Sequence, residues 1–123
     1  MSSPYLINSN SFSLRPSFNN NYVSLTNVYL YDLDSGYDLN FVDVSGNNTP
    51  CILVMPLLSY DGISFSIKRI DNSTNDLTLQ LNQSDNKIID GSLTSIVLKP
   101  LYSYSFYSFN SSWYLTNVSS CQP

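Results

Sequence analysis

Apolar and polar residues alternate with a period of two along most of the chain. The clearest stretch is 62–81, GISFSIKRIDNSTNDLTLQL. Phe65 and Ile67 alternate with Ser64, Ser66 and Lys68, and Leu77, Leu79 and Leu81 alternate with Thr78 and Gln80. That period belongs to strands with one buried and one wet face. Asp71, Asn72, Ser73, Thr74 and Asn75 lie between the two runs, and their short side chains bond their own backbone in turns. The pattern therefore predicts a hairpin of two antiparallel strands. Ile70 stands three positions after Ile67, so placing both in the core requires a bulge at Lys68 and Arg69.

The same reading predicts strands over 22–31, with a phase shift at Thr26 and Asn27, and over 37–44. Residues 51–55 are apolar on both faces and stop before Pro56, as in a central strand. Short strands follow at 87–89 and 95–98. The Asp90-Gly91 pair between them predicts a turn with a positive φ at the glycine. Residues 102–106 alternate cleanly, Tyr107 and Phe109 carry the opposite phase, and 113–115 form the last strand after a turn at 110–112. Alternation places Trp113 and Leu115 on one face, and Leu115 needs burial, so Trp113 is expected inside and Tyr114 outside. Residues 1–21, broken by Pro4 and Pro16, form an N-terminal arm or short edge strands (5–7 and 12–14), 22–118 a β domain, and 119–123 a loose tail.

The expected fold is all-β: one small antiparallel sandwich or barrel, jelly-roll-like, of about 8–10 short strands. Composition agrees. The chain has no Ala, Glu or His, and losing two of the best helix formers favours strands and turns. No repeat of fixed length is visible, which speaks against a solenoid.

Charge narrows the partners. The net charge is -4, which lacks the basic footprint of a nucleic-acid binder and does not favour anionic membranes. No apolar stretch is long enough for membrane insertion, and the N-terminus has no signal-peptide pattern. Only 11% of residues are charged, a surface suited to packing against copies or partners. Without His or Glu, and with no nucleophile elbow or phosphate loop, no catalytic residues and no cofactor are expected. Cys51 reads as a buried thiol, and Cys121 lies in a polar tail; a disulfide between them is the minor alternative. Asp32, Asp34, Gly36 and Asp38 resemble a calcium loop only faintly, and no metal is expected.

Two groups of residues invite a binding role. Lys68 and Arg69, the one basic pair, suit a phosphate or a partner carboxylate, or else a solvated strand edge. Tyr102, Tyr104, Tyr107, Trp113 and Tyr114 suit an aromatic platform for sugars, or else a core or subunit interface. Asn47, Asn72, Asn82, Asn110 and Asn117 each begin an Asn-x-Ser/Thr triplet, a product of the Asn/Ser/Thr-rich composition.

The order of features from Tyr37 onward carries a resemblance. Phe41-Val42-Asp43-Val44 precedes a Ser45-Gly46 turn, and an apolar strand closes at Pro56. Ile67-Lys68-Arg69-Ile70-Asp71 follows, then Leu77-Thr78-Leu79, Ile89-Asp90-Gly91 and Trp113-Tyr114-Leu115. This resembles a β-rich module of phage tail-fibre and large-DNA-virus virion proteins, over about two thirds of the chain. The module usually has Asp-Gly before its Trp, where this chain has Asn110-Ser111-Ser112. The resemblance implies a non-enzymatic virion structural protein: a minor capsid, cement or tail-fibre component. It implies assembly in the host cytoplasm, a homo-oligomer such as a trimer, and other virion or coat proteins as partners. A glycan-binding adhesion module is the alternative.

Overall fold

A computed structural model describes residues 19–34, 36–57, 61–82, 89–91 and 93–120. Among these there are nine strands and no helix, so the chain is all-β. The strands are β1 (Asn20–Ser24), β2 (Leu30–Asp32), β3 (Leu39–Asp43), β4 (Cys51–Val54), β5 (Ser64–Arg69), β6 (Leu77–Gln80), β7 (Ser95–Val97), β8 (Tyr102–Phe109) and β9 (Ser112–Ser120). They form a five-stranded sheet in the order β1-β3-β5-β8-β9 and a four-stranded sheet in the order β2-β4-β6-β7. Neither closes into a barrel.

The chain therefore changes sheet at every step from β1 to β6. Odd strands pair in parallel in one sheet, even strands in parallel in the other. Three turns of a flattened coil result, and β7, β8 and β9 finish the two sheets with antiparallel ladders. This corrects the antiparallel, jelly-roll-like expectation. It also corrects the hairpin at 62–81, since β5 and β6 lie in different sheets. The single strand expected over 22–31 is two strands. Its phase shift is the corner between sheets, where Asn27 takes a left-handed φ of 57° that Asn tolerates better than most residues. A coil without a strict sequence repeat forms because the turns differ in length: Leu39 pairs with Asn20 but with Ser66 on its other side.

Period two is the same for parallel and antiparallel ladders, so the inward rows are as expected. Val23, Val42, Phe65, Ile67, Tyr104, Phe106 and Trp113 from one sheet share a single core with Leu33, Cys51, Leu53, Met55, Leu77, Leu79 and Leu98 from the other. No bulge interrupts β5: Ile70 points outward and is exposed, while the inward phase of Phe65 and Ile67 continues into Arg69 and Asp71. The strand expected at 87–89 lies outside the described residues except for Ile89, as do the segments 5–7 and 12–14 and Cys121.

Both tight turns late in the chain need left-handed backbone. Asn110 and Ser111 (φ 52° and 61°) join β8 to β9 directly. Asp90 and Gly91 (φ 51° and 79°) sit inside a bridge in which the Ile89 and Leu93 N–H groups donate to each other's carbonyls at 2.8 and 2.9 Å. A Cβ built on Gly91 meets nothing within 4 Å, so backbone conformation alone sets the cost of a side chain there. Gly91→Val is expected to destabilise by about 1 kcal/mol or more, because a β-branched residue adopts this φ poorly. Urea unfolding would show this as a lower midpoint at unchanged slope; an unchanged midpoint would contradict it.

Candidate functional site

The connections β1–β2 (25–29), β3–β4 (44–50) and β5–β6 (70–76) stack along one side of the coil. Polar side chains join them. Asn47 is buried, accepts from the Val28 N–H (2.7 Å) and donates to the Val28 and Thr49 carbonyls (2.8 and 2.7 Å). A single amide thus completes the backbone pairing that the first corner lacks. Its burial leaves no room for modification of that Asn-x-Thr triplet. Gly46 lets the corners approach, since a Cβ there would lie 3.1 Å from Thr26 Oγ1.

Arg69 and Asp71 make the next join. Both are buried, and they form the ion pair seen among the described residues at 3.2 Å. Arg69 Nε and Nη2 donate to the two Asp71 oxygens in a bidentate fork. Nη1 donates to the Leu98 carbonyl (2.8 Å) at the end of β7, and Nη2 to the Asn75 carbonyl (2.6 Å). Asp71 in turn accepts from the Val44 N–H (3.1 Å) and from the Ser73 N–H and hydroxyl. Asn75 donates to the Val44 carbonyl at 2.8 Å. One guanidinium therefore ties the end of β5 to the other sheet, and one carboxylate ties the third corner to the second. Burial pushes the Asp71 carboxyl up, but the Arg69, Ser73 and Val44 donors together outweigh it and hold it at about 2. Arg69 is thus no solvated edge residue and does not face a partner. Lys68 points the other way, is half-buried, and donates to the Leu101 carbonyl at 2.6 Å.

The aromatic candidates divide between inside and outside. Trp113 is fully buried, and its ring stands at 90° to Phe65 with centroids 5.3 Å apart; Phe65 also stacks on Phe106 at 5.1 Å. The indole N–H finds no acceptor among the described residues. Tyr104 is buried, and its hydroxyl accepts from the Lys99 N–H at 2.8 Å; Tyr102 is half-buried with its ring 6.4 Å from that of Tyr104. Tyr107 and Tyr114 are exposed, and they face each other across β8 and β9 on the outer side of the sheet. The five residues therefore do not form one platform.

The outer faces carry further apolar residues. On the four-stranded sheet the register aligns Leu30, Ile52, Thr78 and Val97 in one row, with Leu30 49% and Val97 66% exposed. On the five-stranded sheet it aligns Tyr22, Phe41, Lys68 and Ser103. Sequence reading assigned neither row: it took 51–55 as apolar on both faces and gave no partner strand for Leu30 or Val97.

One hollow of about 330 Å³ lies on the outer face of the five-stranded sheet. It is lined by Ser64 and Ser66 of β5, Ser105 and Tyr107 of β8, Thr116 of β9 and Asp38. Phe65 and Phe106 also border it. Ser66 and Ser105 are register partners whose hydroxyls hydrogen-bond at 2.8 Å. The β8–β9 ladder slips between Ser105 and Phe106, leaving Thr116 as the extra residue, whose hydroxyl donates to the Ser105 carbonyl (3.2 Å). Sequence reading missed this site because the bulge that shapes it has no local signature. Cys51 is a buried thiol whose pKa burial raises, which keeps it protonated. Asp34 and Asp38 accept from the Gly36 and Asn19 N–H groups, and among the described residues no three acidic, Cys or His side chains converge.

No protein-family model matches this chain, and no curated protein matches it in sequence.

Proposed function

We propose that this chain is a non-enzymatic structural protein of a virus particle, a minor capsid, cement or fibre-type component that acts by packing against copies of itself and coat proteins. The observation that carries the reading is the aligned apolar row on the four-stranded sheet. Leu30 and Val97 sit at its two ends with Ile52 between them. Exposed apolar rows of this kind are the usual material of subunit contacts, and copies of one chain meet in symmetric arrangements. In this reading the two sheets form a small sandwich-like brick, and the coil holds its faces rigid while they serve as contact surfaces. Its place is the virion, after assembly in the host cytoplasm.

Light scattering of the purified chain tests the proposal. The parent is expected at a multiple of the 13.8 kDa chain mass. Leu30→Asp and Val97→Asp, which touch no core residue row, are expected at the single-chain mass with unchanged circular dichroism. A parent that stays at single-chain mass at every concentration, with no affinity for a particle surface, would overturn it.

A further inference from the structure

We propose that the hollow between β5, β8 and β9 is a binding site for a neutral saccharide. This does not depend on the virion reading, since it rests on the lining alone. Its volume of about 330 Å³ falls within the range of small-ligand sites, at the lower end.

The lining selects the ligand class. Five hydroxyl-bearing residues, Ser64, Ser66, Ser105, Tyr107 and Thr116, line one opening together with Asp38. Hydroxyls both donate and accept, and a carboxylate accepts, so the set matches a ligand rich in hydroxyls. No Lys or Arg lines the hollow and Asp38 does, which disfavours phosphates, sulfates and acidic sugars. The exposed ring of Tyr107, the one tyrosine in the lining, supplies an apolar face for the C–H side of a pyranose. The positions are firm. Ser66 and Ser105 are locked by their mutual hydrogen bond, and Thr116 is fixed by the bulge.

The site so assigned differs from a Trp-centred platform. Trp113 lies in the core, and the residues that meet the sugar are the small hydroxyls flanking Tyr107. A site open on one side and holding a single hexose is weak, with a Kd in the millimolar range.

The experiment is a titration of the ¹⁵N-labelled full chain, followed by amide chemical shifts. The probes are D-glucose, D-galactose and N-acetyl-D-glucosamine, with N-acetylneuraminic acid as the anionic counterpart. At least one neutral sugar should move the amides of Ser64, Ser66, Ser105, Tyr107 and Thr116, saturating in the millimolar range. Tyr107→Ala and Thr116→Val, both at exposed positions, should each weaken that sugar about tenfold while the rest of the spectrum stays in place. Absence of shifts with all three neutral sugars would overturn the proposal. So would shifts confined to other residues, an unchanged Kd in both variants, or tighter binding of the acidic sugar than of any neutral one.

Discussion

Arg69→Met is expected to lower stability by about 3–5 kcal/mol, because it leaves the Asp71 carboxylate buried without its partner. Asp71 would keep its Val44 and Ser73 donors, but the Leu98 and Asn75 carbonyls would lose the guanidinium as well. For a domain whose whole stability is about 5–15 kcal/mol, a loss of that size leaves little margin. Replacing both partners is expected to do less harm. In Arg69→Met/Asp71→Leu no charge is stranded, and apolar pairs of similar volume often equal a buried ion pair. Urea unfolding of the parent, the single variant and the double variant measures this. A single variant as stable as the parent would mean that Arg69 joins nothing of consequence.

The same carboxylate gives the fold an acid dependence. Its folded pKa, about 2, lies below the ordinary 3.8. A depressed carboxylate stabilises fully at pH values above its unfolded pKa and loses that contribution as pH falls through the folded one. Asp71 therefore supplies on the order of 2 kcal/mol at neutral pH that disappears between about pH 4 and pH 2. Asp71→Asn should flatten this part of the pH profile.

Trp113→Ala is the second large expected effect, about 3–5 kcal/mol. The indole is fully buried against Phe65, which itself stacks on Phe106, so its removal opens a cavity where three aromatic rings meet. The backbone bonds of this position, including the Asp90 N–H to the Trp113 carbonyl at 2.9 Å, are kept by alanine, so the loss is one of packing. Fluorescence of the parent should resist a soluble quencher such as iodide, and thermal melts of the variant should fall well below the parent. Free quenching with an unchanged melt would contradict the buried position.

The inward rows of β5, β6, β8 and β9 were legible in the sequence, because period two directly reports which side chains share a face, whereas the break in 22–31 and the outward turn of Ile70 were not. The positions of Trp113 and Tyr114 followed from the same rule, and the positive φ of Gly91 from the Asp-Gly turn signal. Pairing partners were not legible. Two strands around a short polar segment read as a hairpin, and the parallel alternative requires strands far away in the chain. A signal against the hairpin was present at Arg69 and Asp71. They continue the inward phase of Phe65 and Ile67, followed by Ser73 and Asn75 at the same spacing. Charges in a core phase have to find each other; Asp71 and Ser73 still bond the backbone two residues on, as expected, but the segment passes to the other sheet instead of closing a hairpin. The outer hollow was not legible at all, since it arises from a one-residue slip between β8 and β9.

The passage of the chain from one sheet to the other at 70–76 is tested most directly by nuclear Overhauser contacts between backbone protons. The coil predicts cross-peaks linking Leu53 with Leu79 and Phe41 with Lys68, the parallel register partners. Backbone cross-peaks linking Ile67 with Leu79, as a hairpin folded about Ser73 requires, would contradict it.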